Sequence, residues 1–430
     1  MSRIAAVIRR FFDMVNNLAP AKAIVVIAVL SLAVKLSYII ILGGGLSTFP
    51  TEGTDVAFYH QAAVNLLRTG VFGDVPGKPT VGMPPGQSVF LAMLYTISNY
   101  SFAFAKLAHV ALLTVAAVLT YLTGKELASL TIGFWAGILI AIDPAQAYLA
   151  GTFLSDSLFI FLMVLGIYLL ARHQSYPRLG WLIGAGICFG LAGLTRNQGW
   201  LFAIALWLGA LVTWGRLISI RVATTVLIVT AVVIAPWTWR NYRVTGQFIP
   251  VSVEGGLTLW ASNNPEFVFR PPMPMSLPVY QAPVGLSGPA IDQYYRQRAI
   301  TWILSHPVDF VVNGFRKVFA LYNFDPMSWR PEVSGLYRLA GVFPYGIMLP
   351  FILAGLFPNL RRPKFQIVLW YLLFTTLMAI LFYGDSRIRA PIQPYLYLYG
   401  VLGVQAVAGW VQLRNRQSAA LSIDQRGENK

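Results

Sequence analysis

Residues 23–42 read AIVVIAVLSLAVKLSYIIIL, a run that is long enough to cross the apolar core of a bilayer as one helix. Comparable runs recur from Ala23 almost to Val411. The chain has 430 residues, of which 57% are hydrophobic and only 11% are charged, whereas an average soluble domain has about 25% charged residues. The composition therefore excludes a water-soluble globule and predicts a polytopic membrane protein.

The length of these runs distinguishes helices from the strands of a membrane barrel. The runs extend over about 15 to 22 residues, whereas barrel strands have about 10 residues and alternate in polarity. We therefore predict an all-α polytopic membrane protein with about ten transmembrane helices, or about 11 to 13 if some weaker segments also cross. The ten predicted spans are 23–42, 101–123, 131–149, 157–171, 180–195, 199–214, 222–239, 338–357, 365–383 and 391–412.

The spans divide the chain into four regions. A transmembrane module, 1–239, contains a long outer loop at 43–100. An outer region at 240–335 is followed by C-terminal transmembrane helices at 336–413 and a cytoplasmic tail at 414–430. Each outer region is predicted to carry a helix that lies along the membrane surface, at 87–97 and at 294–319, because the first is too short to span and the second is amphipathic.

The basic residues set the predicted orientation. The chain has 32 Lys and Arg against 16 Asp and Glu, a net charge of +16. With ten spans, the basic short loops fall on one side, which the positive-inside rule identifies as the cytoplasm. This explains the positive charge without nucleic acid, and we expect no nucleic-acid partner. The residues concerned are Arg3, Arg9, Arg10, Lys125, Arg172, Arg178, Arg216, Arg221, Arg361, Arg362, Lys364, Arg414 and Arg416.

Acidic residues concentrate on the opposite, outer side, where 11 of the 16 fall. Carboxylates near lipid are costly and are usually retained for a function. Asp55 opens the first outer helix, with Tyr59 one turn later on the same face. Asp156 stands at the outer mouth of the fourth span. Both aspartates are candidates for catalysis, although each is also a good helix N-cap and a purely structural role stays open.

Arginines also occur on the outer side, where the positive-inside bias should deplete them. The guanidinium group suits a phosphate because it is always charged and binds in a bidentate manner. The alternatives are contact with lipid headgroups and salt bridges within the protein. Carboxylates and arginines on one face predict that a phosphate-bearing lipid is handled there. These arginines are Arg196, Arg240, Arg243, Arg387 and Arg389.

Four short motifs follow one another in a recognisable order: MPPGQS at 83–88, LSDSLF at 154–159, RNYRVTGQFIP at 240–250 and RIRAPIQP at 387–394. Together with Asp55 and Tyr59, they resemble the GT-C class of integral membrane glycosyltransferases. More narrowly, they resemble the bacterial branch related to protein O-mannosyltransferases and the lipid A aminoarabinose transferase.

The resemblance implies inverting transfer of a hexose or pentose from a polyprenyl-phosphate sugar to a lipid, glycan or protein acceptor. It places the reaction at the periplasmic face of a bacterial inner membrane. Asp55 and Asp156 match the two acidic positions of the class. Related enzymes often carry Lys or His before the paired prolines, where this chain has Gly82 and Met83, so Lys78 is the candidate replacement.

The predicted substrate-binding set is Tyr59, Lys78, Arg196, Arg240, Arg243, Arg387 and Arg389. No cofactor is expected to be obligatory, and a divalent metal is the option that the class leaves open. The partners implied are the lipid donor, the acceptor and membrane lipids. A transporter or flippase of lipid-linked sugars is the rival interpretation, disfavoured because no internal repeat is visible. A membrane assembly protein without catalysis is a third.

Overall fold

The computed structural model describes residue 15 and residues 18–50, 54–213, 218–267, 281–286, 288–325 and 342–427, with side chains described as far as Arg414. The predicted basic residues Arg3, Arg9, Arg10 and Arg216 lie outside the described residues. In chain order the described helices are α1 (Pro20–Ile41), α2 (Thr54–Thr69), α3 (Gly86–Ser98), α4 (Phe102–Leu127), α5 (Leu130–Ala141), α6 (Pro144–Ala150), α7 (Asp156–Ser175), α8 (Leu179–Thr195), α9 (Gln198–Val212), α10 (Ile220–Thr245), α11 (Gly255–Ala261), α12 (Gly288–Ser305), α13 (Pro307–Tyr322), α14 (Ile347–Asn359), α15 (Gln366–Leu381), α16 (Ser386–Arg389) and α17 (Gln393–Gly427).

The described chain contains ten apolar helical segments, of which seven or eight meet the length and composition of a membrane span. Seven are helices long and apolar enough to cross a membrane alone, namely α1, α4, α7, α10, α14, α15 and α17, where short helical turns precede α14 and α15. The bent pair α5 and α6 forms an eighth segment, and the shorter apolar helices α8 and α9 complete the set. The segments overlap the ten predicted spans, and the all-α polytopic fold is confirmed.

The third segment is broken in its middle, where the sequence predicted one continuous span at 131–149. Helices α5 and α6 meet at an angle of 56°. Asp143 caps the second helix, because its carboxylate accepts a hydrogen bond from the backbone N–H of Gln146 at 3.1 Å, and Pro144 occupies the first helical position. The break ends α6 at Ala150 and leaves a short connection to Asp156, the first residue of α7.

Helix α7 joins two chemically different ends of the bundle. At its C-terminal end, Arg172 donates to Glu126 of α4 at 2.6 Å, and Lys364 donates to the backbone carbonyl of Glu126 at 3.5 Å. Three parts of the chain that carry predicted cytoplasmic charge therefore meet at this end. Asp156 lies at the other end, about 30 Å away for a helix of 20 residues.

The non-spanning helices gather around the Asp156 end. Helices α2 and α3 belong to the first outer region, and α11, α12 and α13 belong to the second. Helix α13 is amphipathic: Phe315 and Phe319 are more than 70% exposed, while Lys317 and Leu321 are buried on the other face. This pattern fits the later part of the predicted surface segment 294–319, which the structure divides between α12 and α13. The helix predicted to end at 239 continues to Thr245, so Arg240 and Arg243 stand on α10 and not in a loop.

Glycines allow α14 and α17 to pack backbone against backbone. A Cβ atom added to Gly403 would overlap the carbonyl oxygen of Phe351, and one added to Gly355 would overlap that of Tyr399. Small residues permit such close approach between membrane helices, where van der Waals packing drives association. Gly409, further along α17, has open space around the same position.

We predict that Gly403→Ala lowers the melting temperature of the detergent-purified protein by several degrees, because overpacking typically costs about 1–3 kcal/mol. Gly409→Ala is the matched control on the same helix. It should leave stability unchanged or raise it slightly, since alanine is favoured over glycine in a helix by roughly 0.5–1 kcal/mol. Equal effects of both variants would contradict the packing described here.

Candidate active site

A polar cavity of about 400 Å³ opens at the Asp156 end of the bundle. Its walls come from both outer regions and from the ends of several membrane helices. The polar residues that line it are Asp55, Tyr59, Ser155, Thr195, Arg196, Asn197, Gln198, Ser252, Glu254, Thr258, Arg296, Tyr383 and Arg387. The cavity thus gathers residues that are up to about 330 positions apart in the chain, as the contact between Asp55 and Arg387 shows.

Two guanidinium groups hold the carboxylate of Asp156, which is fully buried. Arg196 donates to Oδ1, and Arg387 donates through Nε to Oδ2 at 2.9 Å. Asp156 begins α7, where the helix dipole favours a negative charge, and Arg196 directly follows the last residue of α8. Three of the predicted site residues are therefore brought into contact.

Asp55 has a more open environment than Asp156. Both terminal nitrogens of Arg387 lie 3.3 Å from its Oδ2 atom, and 40% of its side chain is exposed. Arg387 therefore bridges a buried carboxylate and an accessible one. The short helix α16 sets this position, because Asp385 caps it by accepting a hydrogen bond from the N–H of Ile388 at 2.9 Å.

Tyr59 lies between these acids and the connection that precedes α7. Its hydroxyl donates to Ser155 Oγ at 3.4 Å. Burial, reinforced by the negative charge of Asp55, raises the pKa of Tyr59 above its ordinary value. The phenol is therefore neutral at physiological pH and serves as a hydrogen-bonding group.

Glu254 is a cavity residue for which the sequence motifs predict no role. It precedes α11, and its Oε1 atom accepts a hydrogen bond from Asn197 at 3.4 Å. Burial raises the pKa of Glu254 to about 7. The local sequence VSVEGG contains no signal for this position, which results from the fold of the second outer region against α9.

Four of the predicted binding residues lie elsewhere, and their substrate role stays a prediction. Arg240 donates to the carbonyls of Thr80 at 2.6 Å and Phe72 at 3.2 Å, which attaches the first outer loop to α10. Lys78 and Arg243 are exposed and do not line the cavity in the described part of the chain.

Arg389 is the fourth, and it is buried on the side of α16 away from the cavity. Its Nε donates to Gln393 at 2.8 Å, and its terminal nitrogen donates to the carbonyls of Leu321 and Asn323. The guanidinium also lies 3.9 Å from the centre of the Tyr345 ring. Arg389 thus ties α13 to the start of α17.

An apolar groove of about 820 Å³ lies beside the cavity, between α9 and α10. Trp200 lines both the groove and the cavity. Its indole N–H donates to Asn197 at 3.2 Å, so the junction is fixed by the same asparagine that contacts Glu254. The apolar residues of the groove are Trp200, Ile204, Leu227, Ala231, Ile234, Ala235, Trp239, Phe248 and Pro250.

Residues 82–239 match the protein family described as dolichyl-phosphate-mannose-protein mannosyltransferase. The structure is similar to the archaeal oligosaccharyltransferase AglB from Archaeoglobus fulgidus, solved with an inhibitory peptide and a dolichol-phosphate, at a TM-score of 0.53 and 15% identity over 93% of this chain and 52% of that one. It is also similar to apo ArnT from Cupriavidus metallidurans, at a TM-score of 0.54 and 16% identity over 89% of this chain and 59% of that one.

This is the GT-C fold. The resemblance predicted from the motifs is therefore confirmed at the level of the fold and of the matched family region. The chain spans about half the length of the AglB structures that it matches. No curated protein sequence matches the chain.

A metal is the cofactor to consider, because AglB has also been solved with zinc and sulfate, at a TM-score of 0.54 and 14% identity over 94% of this chain and 51% of that one. Within the described residues, no three His, Cys, Asp or Glu side chains are grouped so that they could hold a metal ion. Both oxygens of Asp156 and the Oδ2 atom of Asp55 instead face guanidinium groups, those of Arg196 and Arg387. A divalent metal ion at this site stays a prediction.

We predict that Asp156→Asn destabilises the protein strongly, because it leaves two largely buried guanidinium groups without their common counter-charge. Breaking a buried pair in this way typically costs about 3–5 kcal/mol. Glu126→Gln, which removes the partly exposed pair with Arg172, is the control and should cost about 0–1 kcal/mol. Denaturation of both variants in detergent checks this, and similar losses of stability would contradict the assigned burial.

Proposed function

We propose that the protein is a membrane glycosyltransferase that transfers a sugar from a polyprenyl-phosphate donor to a lipid, glycan or protein acceptor, with inversion at the anomeric carbon. One observation carries the proposal: a single cavity combines an accessible carboxylate with paired guanidinium groups and adjoins an apolar groove. The GT-C fold supports this proposal. AglB, whose structure is similar, was solved with a dolichol-phosphate.

The guanidinium groups of Arg196 and Arg387 would bind the phosphate of the donor. The donor is a phosphodiester with one negative charge, and the departing polyprenyl phosphate is a monoester with up to two. Negative charge therefore develops at the phosphate as the bond between the anomeric carbon and oxygen breaks. Fixed positive groups in a partly desolvated site stabilise such charge more than water does.

Asp55 would act as the general base. The acceptor hydroxyl attacks the anomeric carbon from the side opposite the phosphate, and its proton passes to the carboxylate of Asp55. As Asp55 becomes neutral, the attraction between it and Arg387 weakens, and Arg387 is released toward the phosphate that gains charge. Asp156 is a positioning residue in this scheme, because both of its oxygens are engaged by the two arginines.

The reaction would take place at the outer face of a bacterial inner membrane. The cavity lies at the end of α7 opposite the contacts of Arg172 and Lys364 with Glu126. The positive-inside rule assigns the basic end to the cytoplasm. The cavity would then open toward the periplasm, where a lipid-linked sugar in the outer leaflet can reach it.

The apolar groove between α9 and α10 would hold the polyprenyl chain. Exposing each CH₂ group of such a chain to water costs about 0.8 kcal/mol, so the chain must stay among apolar groups while its phosphate reaches the cavity. Trp200 stands where the two spaces meet. A chain that passes Trp200 brings its phosphate to the side of Arg196.

We predict that Asp55→Asn lowers kcat for sugar transfer by about 10²–10⁴, the usual contribution of a general base. Asp74→Asn is the control, because Asp74 is an exposed acid of the same outer loop. The assay measures free polyprenyl phosphate released by the purified protein from a panel of polyprenyl-phosphate sugars. Near wild-type turnover of Asp55→Asn would refute the role of Asp55. A wild type that moves lipid-linked sugars across vesicles without releasing polyprenyl phosphate would instead support the transporter.

A second prediction concerns the groove. Ala231→Trp should raise KM for a long-chain donor at least several-fold, because the indole fills space that the chain needs, and should change KM for a short-chain donor little. Val232→Trp places the same indole on the adjacent, 65% exposed position of α10, which does not line the groove, and should change neither KM. Equal effects on long and short donors would place the chain elsewhere.

A further inference from the structure

Glu254 lines the cavity next to Asn197, which also contacts Trp200 at the junction with the groove. Its backbone carbonyl starts α11 by accepting a hydrogen bond from the N–H of Thr258 at 3.1 Å, but its side chain does not cap the helix. The carboxyl group instead faces the cavity, next to Asn197. The same asparagine accepts a hydrogen bond from Trp200 and donates one to Ser252 at 2.7 Å. The position of Glu254 is thus tied to the wall that the cavity and groove share.

The charged and titratable groups around Glu254 come from each neighbouring element. They are Asp55 and Tyr59 of α2, Arg196 after α8, Arg296 of α12, which pairs with Asp292, and Tyr383 and Arg387 near α16. The pKa of Glu254 is raised to about 7, and burial is the largest cause. Asp55 also raises it, whereas Arg196, a hydrogen bond with Ser252 and Arg387 lower it. A carboxyl group in this state carries its proton in a substantial fraction of molecules at neutral pH.

We propose that Glu254, in its protonated form, donates a hydrogen bond to the phosphate of the lipid donor. The inference rests on the proposed function and assigns a further binding residue to its donor side. A lipid chain in the groove passes Trp200, so its phosphate enters the cavity beside Asn197 and Glu254. An ionised carboxylate at this point would repel the phosphate, whereas a neutral carboxylic acid offers an O–H donor. Arg196 and Arg387 bind the phosphate charge, and Glu254 makes that binding dependent on pH.

The sign of the effect follows from linkage. If the donor binds the protonated form better, bound phosphate raises the proton affinity of Glu254, and loss of the proton weakens binding. Donor affinity should therefore be high below about pH 7 and fall by up to about tenfold per pH unit above it, until the affinity of the ionised form is reached.

The test uses the purified full-length protein and a polyprenyl methyl phosphate, a diester that keeps one negative charge across the titration. Its Kd is measured from about pH 6 to 9 with wild type, Glu254→Gln and Glu266→Gln. Wild type and Glu266→Gln should show the rise in Kd, since Glu266 is an exposed acid of the same outer region that does not line the cavity. Glu254→Gln should bind with a Kd that is independent of pH, because its amide donates at every pH.

A second measurement on the wild type alone does not depend on how the variants fold. Calorimetric titration of the same diester at about pH 8, in two buffers of different ionisation enthalpy, should show net uptake of up to about one proton. No proton uptake, or a Glu254→Gln protein whose Kd keeps the wild-type pH dependence, would overturn the assignment of Glu254. Failure of the proposed function appears separately, as wild type that binds the diester but releases no polyprenyl phosphate from any sugar donor.

Discussion

The buried carboxylate of Asp156 and its two arginines form the interaction on which the site depends. A charge that is fully removed from water is tolerated only when it is paired, and Asp156 is paired on both oxygens. One carboxylate does not neutralise two guanidinium groups, and the second counter-charge is the accessible Asp55, which Arg387 contacts. The group that joins the start of α7, the end of α8 and α16 is therefore balanced while Asp55 is ionised. It offers positive charge to an anion when Asp55 takes up a proton.

Most of the fold could be predicted from the sequence, because a backbone in lipid must satisfy its own hydrogen bonds and long apolar runs can do so only as helices. The ends of helices were harder to predict. Helix α10 continues for six residues past its predicted end because the surface of the membrane is polar, and hydropathy falls there before the helix stops. The break at Asp143 interrupts a run whose overall hydropathy is that of one span. Only the pair Asp143 and Pro144 signals it.

The candidate site was partly predictable. Asp55, Asp156, Arg196 and Arg387 were selected from charge placement, and the structure brings them together. Arg387 and Arg389 are two residues apart on one helical turn, and their side chains lead in different directions, one to the cavity and the other to the carbonyls of α13 and its end. Both residues are arginines on the same short helix, so only the packing of α16 between α13 and α15 shows which one reaches the cavity. Glu254 and Glu266 are likewise two acids of the second outer region, of which only Glu254 lines the cavity.

The position of the cavity beside the apolar groove constrains how two substrates can reach it. A lipid donor brings a chain that must remain apolar and a phosphate that must remain polar, so its site needs both environments at one level of the membrane. Trp200 provides this junction on the side of α9 and α10. If the donor occupies that side, the acceptor has to approach across the wall formed by α2, where Asp55 and Tyr59 lie. The base is then on the acceptor side and Arg196 is on the side of the phosphate, with the anomeric carbon between them, which is the order that an in-line displacement requires.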